Sequence, residues 1–205
     1  MNNWELQKNT MRKWGLKTVD NVPENIMKYL NENVTDDKWN ARLAGHIKEE
    51  YRYKNWPSFV EQFILSQTND EVLNNWLKKH SVLSSDKPFY LSNLWCNFQK
   101  KHEFNPIHDH SGLFSFIIFL KIPYDLKDED KVFPTNSTGG SLASRLAFIF
   151  NDTMGDLYDL NIDVDKTFEG KMIMFPARLY HLVYPFYTSD DYRKTVSGNI
   201  NFWVE

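Results

Sequence analysis

The spacing of apolar residues along the chain changes near residue 88. Before this point, apolar side chains recur at intervals of three and four residues over 22–30 and 56–80, which predicts amphipathic helices. The sequence Thr-Asn-Asp-Glu at 68–71 resembles a capping box, so 56–80 is expected to form two helices or one broken helix. We therefore predict a helical front over residues 1–87.

From residue 88 onward, a period of two residues is typical of β-strands. The segment 113–120 is apolar almost throughout, which predicts a strand buried on both faces or a barrel strand. Further strands are predicted over 89–100, 142–150, 171–175 and 193–204, with a long loop over 123–141. The whole pattern favours an α+β protein, mainly β, with a β-sandwich or barrel over 88–205.

The composition favours a single domain over residues 1–205 with a sizeable core. A net charge of −3 carries no signature of nucleic-acid binding, and no apolar run reaches the roughly 18 residues of a membrane helix. We therefore expect neither nucleic acid nor a membrane as a partner. Cys96 is the only cysteine, which excludes an internal disulfide and favours a reducing, cytoplasmic location.

His108 and His110 lie two residues apart, directly before the apolar segment 113–120. Residues i and i+2 of an extended strand face the same side, so both imidazoles are expected to point at one metal ion, with Asp109 facing away. A third ligand is needed, and His181, on a strand after a Phe-Pro turn, is a candidate. Each imidazole must be neutral to bind, so metal affinity is expected to fall below about pH 6.

The remaining histidines carry no comparable pattern. His46, His80 and His102 are interpreted as structural or surface residues.

Arg193 and Thr195 begin the last predicted strand and face the same side of it. An arginine that points into a barrel is costly unless an anion meets it. A guanidinium can hold a carboxylate with two hydrogen bonds, and the threonine hydroxyl can add a third. The alternative is an exposed arginine at the start of a strand.

These segments together resemble a known family, the 2-oxoglutarate- and Fe(II)-dependent oxygenases of the double-stranded β-helix class, of the type common in tailed phages of cyanobacteria. The resemblance covers roughly residues 88–203 and rests on FNPIHDHSG at 104–112, FIIFLKIP at 116–123, GGSL at 139–142, GKMIMFP at 170–176, HLVYP at 181–185 and RKTVSGN at 193–199. It implies a jelly-roll or cupin-like barrel, the double-stranded β-helix, with an N-terminal helical layer.

The resemblance also implies a function. It identifies the protein as an enzyme that uses Fe(II), 2-oxoglutarate and O₂ to hydroxylate a substrate that the sequence does not name, in the host cytoplasm if the chain is phage-encoded. His108 and His181 fall on iron-ligand positions. Arg193 and Thr195 fall on the pair that binds the distal carboxylate of 2-oxoglutarate.

One position departs from the family pattern. The family motif is His-x-Asp, and this chain has His110 at its second position. Two ligand sets therefore stay open: three histidines, which we favour, or His108 and His181 with Asp109 turned inward. Two other functions also stay open. One is a three-histidine cupin-type dioxygenase that needs no 2-oxoglutarate, although the glutamate expected beyond its histidine pair is missing from 113–119. The other is a non-catalytic metal-binding barrel, such as a phage structural or interaction protein.

Overall fold

The computed structural model describes residues 7–9, 11–12, 15–71, 73, 75, 88–133, 140–151 and 154–202. Within these residues the strands are β1 (Lys17–Val19), β2 (Glu50–Arg52), β3 (Phe89–Gln99), β4 (Asn105–His108), β5 (Phe114–Lys121), β6 (Leu146–Asn151), β7 (Leu157–Ile162), β8 (Met172–Pro176), β9 (His181–Val183) and β10 (Arg193–Phe202). The α-helices whose bounds the structure describes are α1 (Glu24–Glu32), α2 (Ser58–Ser66) and α3 (Leu126–Val132), with 3₁₀ turns at Asn40–Arg42 and Lys166–Phe168. Residues 7–9, 11–12, 71, 73 and 75 are also helical.

The strands form two antiparallel sheets. The larger sheet has the order β1-β8-β5-β10-β3-β2, and the smaller sheet has the order β4-β9-β6-β7. Side chains of both sheets share one apolar cluster, in which Ile117 and Ile173 of the larger sheet lie with Phe148 and Ile162 of the smaller one. The sheets therefore pack face to face, which confirms the predicted mainly β architecture.

Burial on both faces explains why β5 is apolar at nearly every position. Ile117 belongs to the cluster between the sheets, whereas Phe116 lies in a second cluster with Leu30 of α1 and Ile64 of α2. Alternate residues of a strand point to opposite faces, so a strand covered on both sides needs apolar residues at nearly every position. The strand predicted over 113–120 is confirmed as Phe114–Lys121.

The N-terminal front contains strands as well as helices. β1 and β2 form the two edges of the larger sheet, where the sequence pattern predicted only helices and loops. A strand of three residues is too short to show a period of two, so its pairing with β8 or β3 decides its structure. The predicted break in the second helix is confirmed, because α2 ends at Ser66 and helical structure returns at residues 71, 73 and 75. Residues 76–80, and His80 with them, lie outside the described residues.

The predicted loop over 123–141 contains α3, which the sequence pattern did not indicate. Glu129 of this helix is fully buried, and its carboxylate accepts hydrogen bonds from the backbone N–H groups of Tyr187 and Thr188. The helix is therefore stabilised by a distant loop rather than by its own apolar spacing. β7 was also not predicted, and β6 begins at Leu146 rather than at residue 142. None of the helices in the described part of the chain is long and apolar enough to span a membrane.

Candidate metal centre and co-substrate pocket

Three histidines meet between the two sheets. His108 ends β4 and His181 begins β9, and these two residues are cross-strand partners. His110 lies two residues beyond β4, so the expectation that both His108 and His110 belong to one strand was wrong. The backbone N–H of His110 instead donates to the carbonyl of Ala177 at 2.8 Å. The potential ligand atoms of the three histidines nevertheless lie within 4.8 Å of one another.

Backbone carbonyls orient two of the imidazole rings. The Nδ1–H of His108 donates to the carbonyl of Pro106 at 2.7 Å, and the Nδ1–H of His181 donates to the carbonyl of Leu179 at 3.0 Å. A carbonyl oxygen only accepts hydrogen bonds, so Nδ1 carries the proton in both rings and Nε2 keeps its lone pair. This is the tautomer that a metal-binding histidine needs, and its second nitrogen is already held by the protein.

Burial lowers the pKa of all three histidines. His181 is 2% exposed, and desolvation, followed by repulsion from His108 and His110, lowers its pKa well below the usual value. Desolvation, followed by the neighbouring His108, lowers the pKa of His110 to about 4. Desolvation also lowers the pKa of His108. The rings are therefore neutral near pH 7, which is the state that binds a metal cation.

Asp109 lies apart from this cluster. Its Oδ2 accepts a hydrogen bond from Nη1 of Arg178 at 3.1 Å, in a pair that is partly exposed. The group of potential metal ligands in the described residues contains His108, His110 and His181, and not Asp109. This arrangement favours the three-histidine set over the alternative in which Asp109 turns inward.

Arg193 is buried at the start of β10, with 2% of its surface exposed. Its Nη1 donates to the carbonyl of Ser144 at 3.1 Å, and its Nε is buried without a hydrogen-bond partner. No carboxylate pairs with it among the residues that the structure describes. The alternative of an exposed arginine at a strand start was therefore wrong.

Thr195 lies two residues further along β10, on the same face as Arg193. The Nδ2 of Asn97, on β3, donates to Oγ1 of Thr195 at 3.2 Å. The hydroxyl oxygen is thus engaged as an acceptor, which leaves the hydroxyl proton to donate elsewhere. Arg193, Thr195 and the three histidines all line one cleft.

The cleft also has lining residues that the sequence analysis did not select: Gly45, Glu50, Trp95, Asn97, Gln99, Asn105 and Ser197. Trp95, Asn97 and Gln99 lie at every second position of β3. The predicted period of two therefore indicated that these three side chains share one face of the sheet. Glu50 had no such signal, because β2 was not predicted. His46 and His102 are exposed and contact the rings of Phe104 and Tyr187, away from the cluster.

The sequence and the fold of this chain are similar to those of a known protein family. The model of the family described as "Putative 2OG-Fe(II) oxygenase" matches residues 93–199. Among solved structures, the chain is similar to an oxidoreductase of the 2OG-Fe(II) oxygenase family from Burkholderia pseudomallei, with 12% identity, a TM-score of 0.51, and coverage of 98% of this chain and 90% of that one. It is also similar to a prolyl-4-hydroxylase from Pseudomonas putida, with 10% identity, a TM-score of 0.53, and coverage of 98% of both chains. No curated protein matches the sequence.

At these identities the solved structures show the fold alone, and that fold is the double-stranded β-helix predicted above. The family match covers more than half of the chain and includes the three histidines, Arg193 and Thr195. Two packed sheets, converging imidazoles and a sequence match thus agree, and the chain belongs to the 2-oxoglutarate- and Fe(II)-dependent oxygenases, enzymes that use Fe(II), 2-oxoglutarate and O₂.

Proposed function

We propose that His108, His110 and His181 hold the iron, that Arg193 and Thr195 bind the distal carboxylate of 2-oxoglutarate, and that the protein hydroxylates a substrate that enters the same cleft. The observation that carries this proposal is Arg193, a buried cation that forms no ion pair with the described residues, in one cleft with three converging imidazoles. The net charge of −3 supports the prediction that the substrate is not a nucleic acid.

The donor set suits a first-row transition metal. Imidazole nitrogens bind such metals at about 2.0–2.2 Å, so rings whose nitrogens lie within 4.8 Å of one another need to move only slightly to share one ion. Three protein ligands leave the other positions of an octahedral ion open for co-substrate and oxygen. Three neutral imidazoles also leave the charge of a divalent ion uncompensated, which favours an anionic co-substrate.

The environment of Arg193 suits a carboxylate. Its Nη1 is used by the carbonyl of Ser144, so the edge formed by Nε and Nη2 is the one that can face a ligand. Two parallel N–H groups on one edge match the two oxygens of a carboxylate. Thr195 adds a hydroxyl proton, because its oxygen already accepts from Asn97. A dicarboxylate with one carboxylate on the metal would accept hydrogen bonds from Arg193 and Thr195 with its other carboxylate.

When bound, Fe(II) would activate O₂, of which one oxygen atom would enter succinate as 2-oxoglutarate loses CO₂ and the other would enter the hydroxyl group of the substrate. The chain contributes orientation and exclusion of water. His108 and His181 direct Nε2 into the cleft because their Nδ1 atoms are held by carbonyls. Arg193 fixes the distance between the distal carboxylate and the three histidines, since β10 is paired on both sides, with β3 and β5.

Anaerobic calorimetry with Fe(II) and then 2-oxoglutarate tests this proposal. We expect one equivalent of each to bind near pH 7.5, with a visible charge-transfer band that appears only when both are present. Succinate should then form in air. If Fe(II) binds but 2-oxoglutarate does not, the three-histidine dioxygenase and the non-catalytic barrel replace the proposal, and oxygen consumption separates these two. If no divalent metal binds, all three are wrong.

A further inference from the structure

The larger sheet carries a polar row that extends away from Arg193. Glu50 of β2 pairs with Asn97 of β3, and Asn97 pairs with Thr195 of β10. Side chains directly opposite each other on one face of a sheet have Cβ atoms about 4.5–5.5 Å apart. All three residues line the cleft. Along this wall of the cleft, the guanidinium and the hydroxyl lie on β10, and the carboxylate lies on β2 at the far end.

Two amide oxygens beside this carboxylate have no hydrogen-bond donor in the part of the chain that the structure describes. Asn97 is 5% exposed, and its Oδ1 is buried without such a donor, whereas its Nδ2 donates to Thr195. Asn105 Oδ1, which lies on another wall of the same cleft, is also buried without a partner. A buried acceptor without a donor is destabilising, and a ligand that donates to it recovers this loss.

Gly45 shows how closely these acceptors approach one another. A Cβ atom added at Gly45 would lie 2.5 Å from Asn105 Oδ1 and 2.9 Å from Glu50 Oε1. The two oxygens are therefore no further apart than the sum of these distances, about 5.4 Å. One nitrogen at a hydrogen-bond distance of about 2.8 Å from each can donate to both. Gly45 packs against both oxygens, so a side chain at this position would displace them.

We propose that Glu50, Asn97 and Asn105 form a subsite that binds a protonated amino group of the substrate. This inference rests on the proposed function, since it places the substrate's amino group in the cleft that the iron and 2-oxoglutarate occupy. An ammonium group offers three N–H donors, and the subsite offers two unpartnered amide oxygens and one carboxylate oxygen. The carboxylate also balances the charge of the ammonium, whereas it repels a phosphate.

The state of Glu50 agrees with this assignment. Glu50 is 1% exposed, and burial, followed by the charge of Glu103, raises its pKa to about 7 despite a hydrogen bond from Asn40. A buried carboxylate without a cation is costly, and a cationic ligand beside it would restore its negative charge.

A purely structural role accounts for only part of these observations. Asn40 Nδ2 donates to Glu50 Oε2 at 3.1 Å, which links the 3₁₀ turn at Asn40–Arg42 to β2. This link does not involve Glu50 Oε1, and it leaves the amide oxygens of Asn97 and Asn105 without donors. A ligand that donates hydrogen bonds within the cleft would satisfy these oxygens.

Small probes can test the subsite on protein loaded with Zn(II) and 2-oxoglutarate, because Zn(II) is diamagnetic and does not react with oxygen. Ligand-detected NMR titrations would compare n-butylammonium with 1-butanol and butanoate, which have a similar length and a different charge or polar group. We expect n-butylammonium to bind with roughly millimolar affinity, as suits a ligand of this size, and about tenfold or more tightly than either other probe.

Two variants and one matched control locate the binding. Glu50→Gln keeps the shape of the side chain and removes its charge, so it should weaken n-butylammonium binding about tenfold or more. Gly45→Ala should weaken it similarly, because the added methyl group displaces the oxygens of Asn105 and Glu50 while the charge of Glu50 is kept. Glu49→Gln is the control, because Glu49 accepts a hydrogen bond from Tyr192 and does not line the cleft. It should bind n-butylammonium as the parent does.

The outcomes separate this inference from the proposed function. If 2-oxoglutarate binds but the parent does not prefer n-butylammonium, the subsite is wrong and the oxygenase assignment stands. Unchanged n-butylammonium binding in both Glu50→Gln and Gly45→Ala would equally overturn the subsite. If Glu50→Gln does not fold, Gly45→Ala decides alone. Failure of 2-oxoglutarate to bind would overturn the proposed function, and n-butylammonium would then be titrated into the Zn(II) protein.

Discussion

The two walls of the cleft are built differently. The smaller-sheet wall, which carries His108, His110 and His181, consists of strands of four and three residues and a turn beyond the first strand. The larger-sheet wall, which carries Arg193 and Thr195, belongs to the ten-residue β10, paired along both sides. Backbone carbonyls thus orient two of the proposed metal ligands, His108 and His181, whereas a continuous sheet positions the proposed co-substrate ligands.

This difference implies that the two walls respond differently to mutation. The larger sheet takes part in both apolar clusters of the protein, so changes in it should affect folding as well as binding. The ring nitrogens of the three histidines are expected to stabilise the protein mainly when a metal is bound to them. Their replacement should therefore remove function and leave the fold largely intact.

The largest effect is expected for His181→Ala on the smaller-sheet wall. Loss of one of three imidazoles should abolish metal-dependent turnover, measured as succinate formation, and should strongly reduce Fe(II) affinity in anaerobic calorimetry. The free energy of unfolding of the metal-free protein should change less than in a core truncation. His102→Ala is the control, because His102 is exposed and apart from the cluster. Turnover that survives in folded His181→Ala protein would assign His181 a structural role.

The next largest effect is expected for Phe116→Ala in the larger sheet. Phe116 is fully buried against the helices, so its truncation should lower the free energy of unfolding by about 3–5 kcal/mol through lost burial and a new cavity. Urea unfolding measures this loss. Phe59→Ala, at a residue that is 40% exposed, is the matched control and should cost much less. A loss below about 1 kcal/mol for Phe116→Ala would mean that this face of the larger sheet repacks easily.

Arg193→Met should weaken 2-oxoglutarate binding by about 2–5 kcal/mol, which is roughly 30- to 4000-fold. The distal carboxylate of 2-oxoglutarate would lose both hydrogen bonds that the guanidinium donates to it. The 2-oxoglutarate affinity of Arg193→Lys should lie between those of the parent protein and Arg193→Met, since an ammonium group keeps the charge but loses the two parallel N–H donors. Fe(II) affinity should stay almost unchanged in both variants. Arg52→Met, which removes a surface partner of Asp37, is the control. Unchanged 2-oxoglutarate binding in Arg193→Met, measured by anaerobic calorimetry, would contradict the assignment of Arg193.

The lowered pKa values of the histidines predict two effects of pH. Because the pKa values of all three histidines are lowered, proton competition with the metal should begin below about pH 6 and should include His110 as the pH nears its folded pKa of about 4. In the metal-free protein, the unfolded chain binds more protons than the folded one between about pH 6.5 and this lower value. Stability should therefore be full above about pH 6.5 and decrease as the pH falls towards 4.

Urea unfolding of the metal-free protein near pH 7 and pH 5 measures the second effect. His110→Asn, which cannot titrate, should show a smaller loss between these two conditions than the parent protein. An equal loss in both proteins would place the pH dependence elsewhere in the chain.

The smallest effect is expected for Thr195→Val. This change removes one hydroxyl donor and should weaken 2-oxoglutarate binding by about 1 kcal/mol, the usual contribution of one neutral hydrogen bond. Calorimetry on the iron-loaded protein measures the change, with exposed Thr167→Val as the control. A loss as large as that of Arg193→Met would indicate that Asn97, which hydrogen-bonds to Thr195, had also moved.

Local sequence was sufficient for the long, strongly patterned elements. The strand over 113–120 was predictable because burial on both faces requires apolar residues at nearly every position. The three histidines, Arg193 and Thr195 were selected from spacing and from resemblance to the family. The shorter elements β1, β2 and β7 were not predicted, because their structure depends on the strand beside them. For α3 the missing information was the loop that its buried Glu129 contacts.

The sequence by itself determined which side chains alternate along each strand and which residue types could bind iron and a carboxylate, because the direction of a side chain on a strand is a local property. Only the tertiary structure decided which strands lie side by side and in what register. That register places Glu50 beside Asn97 and Asn97 beside Thr195, although these residues are far apart in the chain. It also turns Asp109 towards Arg178 and His110 towards the other two histidines.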